Sequence, residues 1–186
     1  MSTRDEHIVE QAIAIISRYG YKKTTMGDLA DAAGVSRQTL YNKFPNKEEV
    51  LRAAVRHSND AGLSQLKAKW EIDETLAERL ESFFQIGPLT WYDTLIATPD
   101  AADLMEGVNA HAADLMQEAT RIWIAALGEL FSPYEPVLSK QETTPQQFAD
   151  FVYATSASAK YSATQREELV ARLATLKVAV LATLKG

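Results

Sequence analysis

The sequence contains no cysteine among its 186 residues, which excludes disulfides, iron–sulfur clusters, thiolate zinc sites and cysteine nucleophiles. The first 25 residues hold no apolar segment of the secretory type, so we expect no secretory signal. No stretch approaches the roughly 18 uninterrupted apolar residues of a transmembrane helix. These absences are compatible with a reducing compartment, and we expect a cytoplasmic protein.

The composition that remains is that of an ordinary globular protein, with 46% apolar residues, 24% charged residues and a formal net charge of −6. The charge is uneven along the chain. Residues 1–60 hold nine Lys/Arg and eight Asp/Glu, a net charge of +1, whereas the other 126 residues carry −7. An acidic body with a non-acidic head suits a protein that turns one end towards a polyanion, although chance segregation explains the charges equally well.

Nearly every periodic segment predicts a helix. Ile8, Ala12, Ile15 and Tyr19 are spaced by four, three and four residues, which is one face of an amphipathic helix. We expect a break at Gly87-Pro88 and a loop over residues 132–144, which contain prolines. Since no hairpin signal or internal repeat is visible, the predicted fold class is all-α with about nine helices.

Residues 25–44 have the pattern of a helix-turn-helix. Thr25 and Asp28 form a capping box, Gly34 suits a tight turn with positive φ, and Ser36 is a good N-cap for a second short helix that ends before Pro45. The outward face of that second helix contains Arg, Gln, Thr, Tyr, Asn and Lys. These side chains can donate hydrogen bonds to base edges or phosphates, and none is acidic.

Residues 8–51 resemble the DNA-binding domain of TetR-type transcriptional regulators. The matching motifs include Tyr19-Gly20-Tyr21, Ala33-Gly34-Val35-Ser36 and Thr39-Leu40-Tyr41. The resemblance implies an all-helical homodimer with a DNA-binding domain at residues 1–48, which contains a three-helix helix-turn-helix, and an effector-binding and dimerisation domain at residues 49–186. It further implies a repressor that binds a pseudo-palindromic double-stranded DNA operator and is released by a small-molecule effector.

The resemblance also indicates which side chains meet DNA. By position these are Thr24, Thr25, Ser36, Arg37, Gln38, Thr39, Tyr41, Asn42, Lys43 and Lys47. Gln38 stands where many members have glycine, so the operator sequence cannot be transferred from relatives. Two alternatives remain open from the residues themselves: Tyr41 could belong to the core, and Arg37 could be merely solvated.

Aromatic residues are concentrated between positions 83 and 131, and we interpret some of them as a mainly apolar effector pocket. The predicted pocket residues are Phe84, Trp91, Tyr92, Met105, His111 and Trp123. The alternative is an ordinary helical core, which also uses such residues. We expect no metal, no cofactor and no catalysis, because no phosphate-binding glycine loop or catalytic motif appears.

The last two helices are interpreted as the dimer surface. The predicted interface residues are Phe148, Phe151, Val152, Thr155, Leu169, Leu173, Leu176 and Val180. Packing within one chain is the alternative reading of these stripes, and the family resemblance favours the dimer. Two other functions remain open: a regulator-like assembly factor that acts through a protein partner without a small ligand, and a helical ligand-binding protein or enzyme that happens to contain a helix-turn-helix.

Overall fold

A computed structural model of the chain describes residues 3–185, and these residues are all-helical, as predicted. The helices are α1 Thr3–Tyr19, α2 Met26–Ala32, α3 Arg37–Lys43, α4 Lys47–Ile72, α5 Leu76–Phe84, α6 Thr90–Ala97, α7 Ala101–His111, α8 Ala113–Phe131, α9 Glu135–Ser139, α10 Pro145–Ser162 and α11 Arg166–Leu184. A π-helical turn at Gln85–Leu89 joins α5 to α6, which fits the break expected at Gly87-Pro88. The segment predicted as a loop is not wholly irregular, because it contains a 3₁₀ turn at Ser132–Tyr134 and α9.

The chain forms two compact units, and each unit is built from two separate segments of the sequence. The first unit comprises the residues up to Ala61 together with Thr94–Glu118, and the second comprises Gly62–Asp93 together with the residues from Ala119 onward. Helices α4 and α8 each contribute residues to both units. The boundary predicted at residue 48 separates a DNA-binding domain from an effector-binding domain. It stays a prediction, because the compact units alone do not define where DNA or an effector binds.

The core of the first unit holds α1, α2 and α3 together. Val9 of α1, Leu29 of α2, Leu40 of α3 and Val50 of α4 are fully or almost fully buried. Each such side chain contributes about 1.5–3 kcal/mol of hydrophobic stabilisation relative to an exposed position. The short helices α2 and α3 therefore depend on packing, because helices of this length are unstable alone.

The core of the second unit is larger and more aromatic. Phe83, Leu127, Phe131 and Leu169 are among its fully buried side chains, and the Phe131 and Phe148 rings meet edge to face with centroids 5.1 Å apart. Among the described residues, no helix is both long and apolar enough to cross a membrane.

Candidate DNA-binding and ligand-binding sites

Local signals set the geometry of the helix-turn-helix. Thr25 and Asp28 form the predicted capping box at the start of α2, and Gly34 adopts a φ of +63° in the turn. The Ser36 hydroxyl accepts a hydrogen bond from the Thr39 amide at 3.1 Å, so Ser36 is the N-cap of α3. The helix ends at Lys43, and Phe44 is extended because Pro45 disfavours helical backbone in the residue before it.

The outward face of α3 carries polar side chains and no carboxylate. Arg37, Gln38, Tyr41 and Asn42 are exposed, while Leu40 on the opposite side is fully buried. Tyr41 keeps 48% of its surface exposed, which excludes a core position in this chain. Leu40 thus anchors the helix, and the polar side chains face solvent.

Two amides on this face are paired with each other. The Nε2 atom of Gln38 donates a hydrogen bond to Oδ1 of Asn42 at 2.8 Å, one turn further along the helix. The Gln38 Oε1 acceptor and the Asn42 Nδ2 donor are not used in this bond. An acceptor and a donor side by side match the N6 and N7 edge of adenine in the major groove.

Arg37 lies over the first turn of α2. A Cβ placed on Gly27 would be 2.8 Å from Nη2 of Arg37, so the guanidinium lies directly against the backbone of Gly27. Hydrogen bonds from Thr25 hold the pKa of Asp28 below its ordinary value, and the positive charge of Arg37 adds to this effect. Arg37 therefore connects the two helices of the motif while keeping its charge exposed.

Two threonines predicted to contact phosphate are engaged within the protein. Thr24 is only 2% exposed, and its hydroxyl donates a hydrogen bond to the Gly20 carbonyl at 2.7 Å. The Thr25 hydroxyl donates to Oδ2 of Asp28 at 2.7 Å as part of the capping box. Thr39 is half-buried, with its hydroxyl 2.8 Å from that of Ser36. The side chain of Thr24 faces inward, so its hydroxyl could contact a phosphate only after the loop that contains it rearranged.

Two predicted DNA-contacting lysines form contacts within the domain, although Lys43 stays about half exposed. Lys43 Nζ lies 2.6 Å from a carboxylate oxygen of Asp5 in α1. Lys47 Nζ donates to the carbonyl oxygens of Tyr21 at 2.8 Å and Thr24 at 3.0 Å, and it lies 4.3 Å from the centroid of the Tyr21 ring. Because these partners lie far apart in sequence, no local pattern in the chain indicated the bracing role.

Helix α7 packs against the loop between α1 and α2. A Cβ on Gly107 would lie 2.7 Å from Cδ1 of Tyr21, so the tyrosine ring rests directly on the α7 backbone. Burial raises the pKa of Tyr21 to about 12, with smaller contributions from Glu48 and Asp103. The Lys22 amide donates to Oδ2 of Asp103 at 2.8 Å, which fixes the same loop to α7.

A second connection runs from α4 to the start of α8. Arg52 forms a bidentate ion pair with Asp114 at 2.7 and 2.8 Å and also donates to the His111 carbonyl. The hydrogen bonds from Arg52 lower the pKa of Asp114 to about 2. Asp114 lies three residues after His111 and four residues before Glu118 in the sequence. Its carboxylate is paired with Arg52.

The residues predicted for an effector pocket are divided between the two units. Phe84, Tyr92 and Trp123 are buried in the second unit, where Trp123 lies 6.1 Å from the Phe83 ring. Met105 and His111 belong to the first unit, and the His111 ring lies 5.9 Å from that of Tyr21. Most of the aromatic cluster therefore serves the core, and Trp91 is the partly exposed aromatic of the predicted set.

An open groove of about 620 Å³ runs along the end of α4 and α5. Its lining includes Ile72 and Ile86 together with Lys69, Asp73 and Glu81, all in the second unit. None of the predicted pocket residues lines it.

Lys160 on α10 is not among the site residues predicted from the sequence. Its ammonium lies 4.5 Å from the Tyr161 ring centroid and 5.5 Å from that of Trp91. A signal was present, because Lys160 follows Tyr153 by seven residues and so shares its side of α10. A lysine on the partly buried side of a helix is unusual.

Most side chains predicted for the dimer interface form the core of a single chain. Phe148, Val152, Leu169, Leu173, Leu176 and Val180 are all buried in the second unit. Thr155 is half-buried, and Phe151 is 56% exposed. The stripe that does face outward on α11 is mainly small and apolar, with exposed Val170, Ala171, Ala174, Val178 and Ala182 beside Thr175.

Comparison with known proteins matches residues 8–54 to the family model described as bacterial regulatory proteins, tetR family. Residues 8–54 therefore have the N-terminal region of the TetR family. The matched residues extend from α1 into α4 and include the whole helix-turn-helix, which confirms the resemblance seen in the sequence.

Curated relatives of this chain are transcriptional regulators, in agreement with the expectation that the chain is not an enzyme. It is 27% identical to the HTH-type transcriptional repressor LfrR of Mycolicibacterium smegmatis over 103 residues, which cover 51% of this chain and 53% of LfrR. It is 28% identical to the HTH-type transcriptional regulator RutR of Escherichia coli K12 over 181 residues, covering 91% and 84%. The chain thus spans about half the length of LfrR.

The chain also shares its fold with solved structures. A transcriptional regulator from Cytophaga hutchinsonii superposes with a TM-score of 0.74 at 16% identity, covering 97% of this chain and 96% of the other. At this identity the likeness shows the fold alone.

Proposed function

We propose that this protein is a TetR-type repressor that binds a pseudo-palindromic operator as a homodimer and is released by a small molecule bound in its second unit. The observation that carries the proposal is the outward face of α3, which is polar, free of carboxylates and anchored by buried Leu40. Such a protein would work in the cytoplasm, where its DNA lies.

On this face, Gln38 and Asn42 are the candidates for reading bases, and Arg37 and Tyr41 for contacting phosphates or bases. The amide pair offers hydrogen-bonding groups of the kind that discriminate base pairs. Arg37 supplies positive charge, and the Tyr41 hydroxyl can donate to a phosphate oxygen. Ser36, Thr25 and the braced lysines Lys43 and Lys47 support the position of α3 in this proposal.

The dimer surface that we propose is the outward stripe of α11 together with Phe151 of α10. Val178 is 65% exposed and Phe151 is 56% exposed, although both are apolar. Two copies related by a two-fold axis could bury these stripes against each other and place two α3 helices on one duplex. Their separation must then be about 34–36 Å, one helical turn of DNA, or a multiple of it.

Release by an effector requires a route from the second unit to the first. Helices α4 and α8 supply residues to both units, and α7 carries Gly107 against Tyr21. A ligand that shifts either shared helix would therefore alter the support of the α1–α2 loop. A change in the spacing of the two α3 helices weakens operator binding, which is the coupling that we propose.

The test uses operator fragments selected from the host genome and fluorescence anisotropy. We expect Arg37→Ala and Tyr41→Ala each to weaken binding by about 1–3 kcal/mol while the fold is retained. Lys140→Ala, an exposed change in the second unit, is the control and should bind as wild type. Unchanged affinity in both α3 variants would refute the proposed role of the helix.

Dependence on salt and on metabolites separates the remaining functions. Binding should weaken steeply as salt rises, because basic side chains displace condensed counterions. A metabolite that dissociates the complex supports the effector model, whereas DNA binding that no metabolite changes supports action through a protein partner. Absence of DNA binding at low salt supports a ligand-binding protein that merely contains the motif.

A further inference from the structure

Lys160 lacks an anionic partner inside the second unit. Among residues 3–185, no carboxylate lies within 4 Å of its ammonium, whose neighbours are the rings of Tyr161 at 4.5 Å and Trp91 at 5.5 Å. Asp93, two residues after Trp91, is occupied by Arg166 in two hydrogen bonds of 2.8 and 3.2 Å. The acidic side chain nearest in sequence to Trp91 is therefore held by another cation.

This arrangement is costly for a cation. Removing an ammonium group from water without a counter-charge is unfavourable, and aromatic faces compensate only in part. Burial accordingly lowers the pKa of Lys160 to about 8. An anion placed against Lys160 would restore the missing charge interaction and would favour the protonated amine.

A second unsatisfied donor belongs to one of the same rings. The Nε1 atom of Trp91 is buried and forms no hydrogen bond with the described residues. Burial raises the pKa of the neighbouring Tyr161 hydroxyl, and a weak interaction with the Trp91 N–H offsets part of that rise, so the N–H is directed at the Tyr161 oxygen. This N–H and the Lys160 ammonium are two donors at one indole ring, and one oxyanion can accept hydrogen bonds from both.

Further polar groups lie on the same side of α10. The hydroxyl of Tyr153 is 3.3 Å from that of Thr120 in α8, and Tyr153 shares its side of α10 with Lys160. Tyr153 packs against the apolar core of the second unit, which includes Phe84 and Tyr92. A polar end within an apolar surrounding is typical of sites that bind an organic acid by its charged group.

We propose that Lys160 and Trp91 bind the carboxylate of a small organic acid. This inference rests on the proposed function for its biological meaning, because such an acid would be the effector. The carboxylate oxygens accept hydrogen bonds from the Lys160 ammonium and the Trp91 indole. No bond is made or broken in the ligand.

The test measures acid binding to the full-length protein by isothermal titration calorimetry in the absence of DNA. The probes are acetate, benzoate and octanoate, with neutral benzamide matched to benzoate. We expect saturable binding of at least one acid with a Kd below about 1 mM. We also expect benzamide to bind at least about tenfold more weakly than benzoate, since it cannot pair with the ammonium.

Three variants assign the binding to these residues. Lys160→Met removes the charge and retains the length of the side chain, and Trp91→Phe removes the N–H and retains a ring. Each should weaken acid binding at least about tenfold, whereas Lys160→Arg should keep most of it. Lys140→Met, an exposed lysine outside the cluster, is the matched control.

Each outcome decides one claim. The carboxylate site is overturned if none of the three acids binds, or if Lys160→Met and Trp91→Phe bind them as wild type does. Loss of the site in this way leaves DNA binding intact and the proposed regulator standing. Acid binding that fails to release selected operator DNA would reject the acid as effector while confirming the site.

Discussion

The outward faces of α3 and α11 differ in polarity. Helix α3 presents Arg37, Gln38, Tyr41 and Asn42 without a carboxylate, whereas α11 presents valines and alanines. Both helices are fixed from beneath by fully buried leucines, Leu40 and Leu169. The same way of anchoring a helix thus supports a polar face suited to a polyanion and an apolar face suited to a second protein surface.

A carboxylate on the apolar face should have the largest effect. We expect Val178→Asp to convert the dimer to a monomer. Each of the two protomers would bury one unpaired carboxylate in the interface, at a cost of several kcal/mol for each charge. Sedimentation equilibrium measures the change. Lys140→Glu, which adds negative charge away from the stripe, should leave the dimer unchanged, and a dimeric Val178→Asp would remove α11 from the interface.

A carboxylate on the polar face should have a different effect. We expect Gln38→Asp to weaken operator binding by about 1–3 kcal/mol or more, since a negative side chain would face the DNA. The dimer should persist in sedimentation measurements. If Gln38→Asp altered the oligomeric state, or bound the operator as tightly as wild type, the functional distinction between the two faces would be lost.

The turn that holds the polar face should be sensitive to backbone strain. Gly34 has a φ of +63°, and a Cβ there would meet no atom within 4 Å, so strain alone penalises a side chain. We expect Gly34→Ala to lower the free energy of unfolding by about 1–2 kcal/mol in urea titrations. Gly34→Asn should cost less, because asparagine tolerates this conformation, and equal costs for both would contradict the assignment to strain.

The smallest predicted effect concerns the ion pair of Arg52 and Asp114. The pKa of Asp114 is lowered to about 2 by hydrogen bonds from Arg52, so its ionised form stabilises the fold above the ordinary value of about 3.9. This contribution is lost as the pH falls through about 2. In thermal melts, we expect wild type to exceed Asp114→Asn by a constant margin at neutral pH and the margin to shrink below about pH 4.

Asp150→Asn provides the control for this titration, since Asp150 is an exposed aspartate on α10. Its melting temperature should follow that of wild type throughout. A margin between wild type and Asp114→Asn that stayed constant down to pH 2 would show that the stabilisation does not depend on the charge of Asp114.

Local features of the fold were predictable because residues close in sequence determine them. The capping box of Thr25 and Asp28, the positive φ of Gly34 and the end of α3 before Pro45 each depend on a few neighbouring residues. The exposed face of α3 followed from the helical period once its ends were known.

Long-range features were not predictable in the same way. The family resemblance predicts Lys43 and Lys47 as DNA contacts. Their contacts within the protein, with Asp5 and Tyr21, involve residues far away in the sequence, which no local pattern indicates. An apolar stripe such as Leu169, Leu173 and Leu176 has the same spacing whether it faces its own core or another chain, so the sequence could not assign it. Burial shows that this stripe faces inward.

Hydroxyl-radical footprinting of wild type and Gln38→Asp on a selected operator tests the central claim most directly, namely that a pair of α3 helices reads DNA. We predict two protected segments related by two-fold symmetry, separated by about 34–36 Å or a multiple of it, and the loss of both in Gln38→Asp. A single unsymmetrical footprint, or a symmetrical one that Gln38→Asp leaves unchanged, would contradict the account.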